Sequence, residues 1–293
     1  MYAITGITGK VGGALARSLL AEELPVCAVI RDQAKAAEWK ARGCDIALAE
    51  MDDSVGLASA FKGAEGVFIL PPSEFDPEPD FPEAERAIKA ISTALAIARP
   101  RKVVCLSTIG ADATYENLLT QRTLLEEALG AMDLPVTFLR PGWFMENALW
   151  DIPVARDEGV LRSFLQPADK AFPMVATRDV GQLAAALLRE DWSGTRVVEL
   201  EGPARVSPND LAQAFAKAFE HSVRVEIVPR ENWEQIFRAQ GARNPTPRIR
   251  MLDGFNEGWI EFRDRGRWAA KGTTPLERVI CELVKASRGK IPA

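Results

Sequence analysis

The residues near the start of the chain that can do chemistry form a glycine-rich loop. The loop follows a β-branched run at residues 2–5 and precedes a helix-like apolar segment at residues 11–21. Glycines at this spacing permit a sharp turn, the close approach of backbone to a pyrophosphate, and tight packing of helix on strand. The N–H groups that begin the helix then face the phosphates. We therefore predict a dinucleotide site, and a structural turn is the alternative. The predicted site is formed by Gly6, Thr8, Gly9, Lys10, Val11 and Gly12.

The second predicted strand, at residues 26–31, ends in a positively charged residue. At this point an NAD site places an acid on the ribose hydroxyls, whereas an NADP site has an arginine near the 2′-phosphate. Arg31 occupies the position, and its planar guanidinium suits a phosphate. Asp32 beside it is the feature that would suit NAD, and Lys10 can add a second cation. We expect NADP (NADPH) as the cofactor.

Composition and the histidine count exclude several classes of function. The 293 residues carry 36 Lys and Arg against 41 Asp and Glu, and a formal charge of −5 argues against a nucleic-acid partner. His221 is the only histidine, so the chain has neither a Ser-His-Asp triad nor a multi-histidine zinc site, and we expect no metal. Four scattered cysteines favour a reducing compartment, and no secretory signal or long apolar run is visible. We therefore expect a cytoplasmic protein with no membrane partner.

Short apolar runs alternate with helix-period segments over the first 200 residues, which indicates an α/β fold with a Rossmann-type doubly wound parallel sheet. A Pro-rich stretch at residues 71–82 follows the fourth strand and should overhang the carboxyl edge of the sheet. After residue 202 the regularity fades. We predict an NAD(P)-binding domain over residues 1–150, joined by the strand near 196–200, and a mainly C-terminal α+β substrate lobe over residues 151–293. The predicted strands are residues 2–5, 26–31, 45–50, 66–70, 102–107, 135–140, 196–200 and 223–228, and the predicted helices include residues 83–98, 118–129, 208–220, 231–240, 247–262 and 274–285.

Open α/β sheets bind ligands at the carboxyl ends of their strands. Ser107 and Thr108 end the fifth predicted strand, and their hydroxyls are candidates to donate to the nicotinamide or to a substrate oxygen. A strand-terminal turn is the alternative for this pair. Leu70, Pro71 and Pro72 should lie along the cofactor.

These motifs together resemble the NmrA-like family of atypical short-chain dehydrogenases/reductases. The residues that carry the resemblance are the loop and segments 29–31, 51–53, 106–110, 134–147 and 178–180, of which 134–147 is similar to the NAD(P)H quinone oxidoreductase-like subgroup. The resemblance implies an NADP-bound Rossmann domain with Asp52 or Asp53 near the adenine, Asp52 being our candidate, and with Pro141 and Gly142 beside the cofactor. The family also includes NADP-sensing regulators that bind cofactor without turning it over.

The wider superfamily uses a Tyr-x-x-x-Lys pair, which this chain lacks. Alignment with the family pattern puts Leu118 at the tyrosine position and Arg122 at the lysine position. Arg122 shares a predicted helical face with Leu118, Leu125 and Leu129, so it should point toward the sheet. A guanidinium can orient a ribose or polarise an oxygen but cannot act as a general acid. A surface pair with Glu126 is the equally weighted alternative.

Aromatic residues after the sixth predicted strand are candidates for a substrate pocket. We expect Trp143, Phe144 and Asn147 to contact substrate, with Trp233 as part of the roof, although aromatics at such spacing are more often core.

The preferred hypothesis is an NADPH-dependent oxidoreductase that transfers hydride to a quinone-like or other conjugated small molecule, with Arg122 and Ser107 as catalytic residues. The alternative is a non-catalytic NAD(P)-sensing protein with a regulatory protein partner, and a homodimer is also possible. An isomerase or lyase is less favoured, because no acid/base pair is visible.

Overall fold

The strands of the computed structural model, which describes residues 1–288, form one large sheet and two small ones. The large sheet has eight strands in the order β12-β10-β6-β5-β4-β1-β2-β3, and two-stranded sheets pair β8 with β11 and β7 with β9. The strands are β1 Tyr2–Ile4, β2 Val26–Ile30, β3 Asp45–Leu48, β4 Gly66–Ile69, β5 Val103–Leu106, β6 Val136–Pro141, β7 Trp143–Phe144, β8 Val160–Ser163, β9 Met174–Val175, β10 Thr195–Glu201, β11 Arg224–Ile227 and β12 Ala270–Lys271.

Parallel pairing from β3 to β6 confirms the predicted doubly wound sheet. The β1–β2, β2–β3, β1–β4, β4–β5 and β5–β6 pairs are all parallel. The chain winds outward from β1 toward β3, then returns to place β4 on the other side of β1. Such a reversal opens a crevice at the carboxyl ends of β1 and β4, where ligands bind in this class of fold.

Helices cover both faces of the sheet. On one face, alternate residues of β1, β2, β4, β5 and β6 pack with apolar side chains from α3, α4 and α5. On the opposite face, Leu188 of α7 lies 2.9 Å from where a Cβ on Gly66 of β4 would be. The helices are α1 Lys10–Ala21, α2 Ala36–Ala41, α3 Ser54–Phe61, α4 Pro82–Ala98, α5 Thr120–Gly130, α6 Ile152–Glu158, α7 Thr177–Arg189, α8 Pro208–Phe219, α9 Trp233–Ala239, α10 Thr246–Glu257 and α11 Leu276–Arg288.

Several helix boundaries differ from the sequence prediction, among them those of α5 and α10. Helix α5 begins at Thr120, so Leu118 lies before it, and the Leu118 N–H donates to the carbonyl of Pro247 at 2.9 Å. The prediction that Leu118 shares a helical face with Arg122 was therefore wrong. Helix α10 ends at Glu257, not at residue 262, because Gly258 adopts a left-handed conformation (φ 89°) and its N–H closes the helix on Gly254.

The chain divides into two compact units that interleave along the sequence. Unit 1 comprises Met1–Asp112, Leu119–Arg140 and Val180–Val198, and unit 2 comprises Ala113–Leu118, Pro141–Asp179 and the chain from Glu199 onward. The domain boundary predicted at residue 150 stays a prediction, and residues 289–293 of the predicted lobe lie outside the described residues. Within residues 1–288, no helix is both long and apolar enough to cross a membrane.

Close contact between α7 and α1 holds the amino-terminal helix in unit 1. A Cβ on Gly181 of α7 would lie 2.6 Å from both the Ala14 Cβ and the Val11 carbonyl oxygen, and 2.8 Å from the Leu15 nitrogen. Only a glycine allows the two helices to approach this closely. The positions of α1 and of the glycine-rich loop therefore depend on the presence of glycine at position 181 of α7.

We expect Gly181→Ala to destabilise the protein by about 1–3 kcal/mol, because one extra methyl group overpacks the helix contact. Thermal unfolding followed by circular dichroism would register a decrease in Tm of about 2–4 °C for each kcal/mol. Gly130→Ala is the matched control, since a Cβ at that helical position would meet only the Phe138 ring at 3.7 Å. An unchanged Tm for Gly181→Ala would show that α7 does not fix α1.

Candidate functional site

Backbone atoms pack directly on one another in the glycine-rich loop of unit 1. Gly6 has a positive φ of 63°, and its carbonyl accepts a hydrogen bond from the Gly9 N–H at 3.0 Å. A Cβ on Gly12 would lie 2.4 Å from the same carbonyl oxygen, so α1 can sit against the loop only because position 12 carries no side chain. Gly9 precedes the helix in an extended conformation and supplies no side-chain cap. The N–H groups of the first turn therefore remain for an external acceptor, as an anion site requires.

Thr5 fastens this loop to the end of β4. Its hydroxyl donates to the carbonyl of Phe68 at 3.1 Å and accepts the N–H of Leu70 at 2.7 Å, and the residue is fully buried. The same connection brings the Leu70 side chain against the space beside Gly6, at 3.1 Å from an ideal Cβ there. Sequence reasoning missed this role for Thr5, although a polar residue at the end of a buried apolar strand is the signal for it.

The residues predicted for the adenosine side lie at the ends of β2 and β3. Arg31 follows β2 and is exposed, and within residues 1–288 it forms no ion pair. Asp32 caps the short 3-10 helix behind it by accepting the Ala34 N–H at 2.9 Å, so Asp32 has a structural role of its own. Asp53 likewise caps α3, accepting the N–H groups of Val55 and Gly56 at 3.1 and 2.9 Å. Asp52 and Asp53 are both exposed, but the Asp53 carboxylate is occupied by this cap, which favours Asp52 as the candidate for a cofactor contact.

Arg122 lies on α5 and holds the Pro-rich loop that follows β4. Its Nη2 atom donates to the carbonyl oxygens of Pro71 and Pro72 at 3.3 and 3.2 Å, and to the Ser73 hydroxyl at 2.6 Å. Burial lowers the pKa of Arg122 to about 10, so the guanidinium is still a cation at neutral pH. The alternative of an Arg122–Glu126 surface pair is wrong for the described part of the chain, because Glu126 pairs with Arg140 instead.

Gln121, the residue before Arg122, clamps the same loop. Its amide nitrogen donates to the carbonyl of Glu74 at 2.9 Å, and its amide oxygen accepts the Glu74 N–H at 3.2 Å. Two consecutive helical residues thus fix the backbone from position 71 to position 74. We refer to these contacts of Gln121 and Arg122 as the loop clamp. Sequence analysis missed Gln121, because nothing in the local pattern shows that its amide meets a loop 47 residues away.

A buried network links the end of β5 to α5 and β6 within unit 1. Arg140 donates to both carboxylate oxygens of Glu126, from Nε at 2.9 Å and from Nη2 at 2.6 Å, and its Nη1 donates to Asp112 at 2.5 Å. Burial alone would lower the pKa of Arg140, but hydrogen bonds and charges from Glu126 and Asp112 outweigh it and hold the pKa above its ordinary value. The Ser107 hydroxyl donates to the Glu126 carboxylate. The network therefore contains a permanent cation, two acids and a hydroxyl.

These contacts change the expectation for Ser107. Sequence reasoning made its hydroxyl a donor to the nicotinamide or to a substrate oxygen, but in this structure the Ser107 proton points to Glu126. Thr108, next to it, is half-buried. Cys105 lies near Arg122 and Glu126, and burial raises its pKa to about 12, so its thiol is neutral. A clue to the network was present in the sequence, since an arginine within an apolar strand needs a buried partner.

The predicted substrate residues belong to unit 2. Trp143 and Phe144 form β7 and are half-buried, as is Asn147, and the Trp143 ring meets Phe255 edge-on with ring centres 5.3 Å apart. Trp233 is fully buried, and its ring N–H donates to the carbonyl of Val228 at 2.9 Å. That environment favours a core role for Trp233, while substrate contact by the other residues stays a prediction.

Pro141 ends β6, and Gly142 connects it to β7. The Gly142 N–H donates to the carbonyl of Leu200 at 2.9 Å, and a Cβ on Gly142 would lie 2.5 Å from the Pro173 carbonyl oxygen. Glycine is thus required here by packing inside unit 2. A cofactor contact by Pro141 and Gly142 stays a prediction.

Comparison with known proteins places these observations in context. A model of the NmrA-like family matches residues 2–258. Quinone oxidoreductase 2 of Escherichia coli strain K12 is 29% identical over 245 residues, and an NAD(P)H azoreductase of Xenophilus azovorans is 27% identical over 244 residues. Each alignment covers 82% of this chain and 82% of the relative.

Solved structures share the fold across nearly the whole chain. A triphenylmethane reductase of Citrobacter sp. in complex with NADP(H) has a TM-score of 0.79 at 18% identity, covering 96% of this chain and 99% of that one. An NADPH-dependent quinone oxidoreductase from Escherichia coli in complex with NADPH has a TM-score of 0.78 at 22% identity, covering 97% and 99%. At these identities the likeness establishes the α/β fold.

We expect Gln121→Ala to loosen the Pro-rich loop, because the substitution removes both hydrogen bonds to Glu74. Hydrogen–deuterium exchange of the peptide covering residues 73–76 should become roughly tenfold faster. Glu127→Ala, on the exposed side of the same helix, is the control and should leave that peptide unchanged. Identical exchange in Gln121→Ala and the unmodified protein would show that the clamp does not restrain the loop.

Proposed function

Because the chain belongs to the NmrA-like family, we propose that it is an NADPH-dependent oxidoreductase that transfers hydride to a quinone-like or other conjugated small molecule. The observation that carries the proposal is the backbone cradle at Gly6 and Gly12, which a single Cβ would fill. Two relatives, an NAD(P)H azoreductase and a quinone oxidoreductase, support the same reaction class.

The residues of unit 1 fit a dinucleotide with an added phosphate. The first-turn N–H groups of α1 suit the pyrophosphate. Arg31 is exposed and without an ion pair in the described part of the chain, so its guanidinium is available to a 2′-phosphate. Asp52 is the matching candidate near the adenine. We therefore favour NADPH over NADH for this chain.

Arg122 has the chemical properties to stabilise negative charge but not to supply a proton. When bound, the reduced nicotinamide supplies a hydride. Arg122 keeps its charge because its pKa is about 10, and among residues 1–288 its Nε and Nη1 atoms have no acceptor in addition to the loop contacts made by Nη2. These N–H groups can orient a ribose hydroxyl or an oxygen of the acceptor. A quinone-like acceptor suits such a site, because its reduced form is a stable anion that solvent can protonate.

The alternative is an NAD(P)-sensing protein that binds cofactor and a regulatory partner without turnover. A specific observation favours it, since the Ser107 proton is committed to Glu126 and Arg122 cannot act as an acid. Both functions share the cofactor site in unit 1. They differ in whether a bound NADPH is oxidised.

We expect the purified protein to oxidise NADPH in the presence of a quinone or an enone. The loss of absorbance at the nicotinamide band would measure the oxidation. The panel should include azo dyes and an unactivated ketone, which requires proton donation and should react slowest. Tight NADPH binding with no oxidation across the whole panel would support the sensing protein. A protein that binds neither NADPH nor NADH would contradict both functions.

We expect Arg31→Glu to lower the kcat/KM preference for NADPH over NADH by at least about tenfold, because the substitution replaces attraction to the 2′-phosphate by repulsion. Steady-state assays with both cofactors and one quinone would measure the ratio. Lys89→Glu changes the charge equally at an exposed position of α4 and should leave the ratio unchanged. A preserved preference in Arg31→Glu would place 2′-phosphate recognition elsewhere.

A further inference from the structure

The direction of one hydrogen bond determines what Ser107 can offer to a ligand. Arg140 donates to both oxygens of Glu126, so the carboxylate acts as an acceptor throughout this network. An ionised carboxylate has no proton to give. The Ser107 hydroxyl must therefore be the donor in its bond to Glu126, as the structure has it. What remains at Ser107 Oγ is acceptor capacity.

This polarity is rigidly maintained. The side chains of Arg140 and Glu126 are 5% and 11% exposed, and two parallel N–H···O contacts hold the carboxylate in one plane. The Ser107 backbone N–H is also bonded, to the carbonyl of Leu139 at 2.8 Å. Within residues 1–288, no other group donates to Ser107 Oγ. Ser107 is 4% exposed, and its hydroxyl oxygen keeps acceptor capacity that no described residue uses.

The position of Ser107 indicates which donor this is. Ser107 follows β5, between β4 and β6 in the sheet. In a sheet with this strand order, one half of a dinucleotide lies over β1, β2 and β3, and the other half lies over β4, β5 and β6. With the adenosine half at β2 and β3, as proposed above for Arg31 and Asp52, the nicotinamide half belongs at the end of β5.

We propose that Ser107 Oγ accepts a hydrogen bond from the carboxamide NH₂ of the nicotinamide, and that Glu126 is the positioning residue that makes it an acceptor. This inference rests on the proposed function, because it requires a bound pyridine nucleotide. A substrate carbonyl is itself only an acceptor and gains nothing from Ser107 oriented in this way. The contact therefore fixes which way the nicotinamide ring is turned, through its NH₂ group, and Ser107 does not polarise the acceptor.

A cofactor analogue without the N–H donor tests the contact directly. In 3-acetylpyridine adenine dinucleotide phosphate, a methyl group replaces the carboxamide NH₂ and the carbonyl is retained. Calorimetry should give an affinity for this analogue about tenfold weaker than for NADP, since one acceptor loses its partner on binding. Ser107→Ala should weaken NADP binding and leave the analogue nearly unaffected, so that the ratio of the two dissociation constants approaches one.

Glu126→Gln tests the positioning role. A glutamine has one amide oxygen for the three donors that the Glu126 carboxylate accepts, namely Ser107 Oγ and two N–H groups of Arg140. The Ser107 hydroxyl then loses its fixed acceptor and with it the preference for an N–H donor, so the ratio should again fall. Glu127→Gln removes the same charge from an exposed site on the same helix and should keep the ratio of the unmodified protein. Circular dichroism would identify an unfolded Glu126→Gln protein, in which case Ser107→Ala decides the question.

The outcomes separate the inference from the proposed function. A ratio near tenfold that Ser107→Ala abolishes supports the carboxamide contact. An unmodified protein that binds NADP and its analogue equally, or a ratio that Ser107→Ala leaves intact, overturns the contact while the proposed cofactor stands. Absence of binding to either nucleotide by the unmodified protein overturns the proposed function and the contact with it.

Discussion

The backbone contact between Gly12 and the carbonyl of Gly6 is the constraint on which the proposed cofactor site depends. The distance of 2.4 Å from an ideal Cβ to that oxygen leaves no room for a side chain. It brings the start of α1 to the end of β1, where the first-turn N–H groups and the positive end of the helix dipole act together. Gly181 on α7 and Thr5 on the other side of the loop then hold α1 and β4 in the same arrangement. A site of this kind is built from backbone, so its chemistry depends on close approach more than on any reactive side chain.

The buried Arg140–Glu126 pair is the second constraint, and it acts through polarity. A buried ion pair adds little net stability, but removal of one partner from such a pair costs about 3–5 kcal/mol, since a charge is then left without compensation. The pair therefore has to be kept or lost as a unit. Its effect on the site is to set the direction of hydrogen bonding at Ser107 and to place a fixed negative group close to Cys105, the buried neighbour of Arg122.

The fold could be predicted from sequence, because each element has a local pattern. Short apolar runs indicate buried strands, and apolar residues spaced by three and four indicate helices. All seven strands predicted for the first 200 residues are present, as is the helix predicted over residues 83–98. Long-range pairing could not be predicted in the same way. The spacing of Arg122 and Glu126 favours a surface pair by helix geometry. In the structure Arg140, 14 residues beyond Glu126, binds the carboxylate, while Arg122 donates to the Pro-rich loop. The contact of Gln121 with Glu74 could not be predicted for a related reason. No sequence pattern shows which loop a helical glutamine will contact.

Three groups at the carboxyl end of β5 are poorly placed to give a proton to a bound acceptor, and this limits the chemistry that they can support. The Ser107 hydroxyl donates to Glu126, the Cys105 thiol is fully buried within β5, and Arg122 keeps its charge at neutral pH because its pKa is about 10. An unactivated ketone becomes a strongly basic alkoxide when it accepts hydride, and an alkoxide needs an acid close by. A quinone, an enone or a related conjugated acceptor spreads the charge over several atoms. The resulting anion is stable enough to be protonated by solvent. A cation such as Arg122 lowers the energy of such a delocalised anion, which is the physical basis for proposing acceptors with a conjugated system over simple carbonyl compounds.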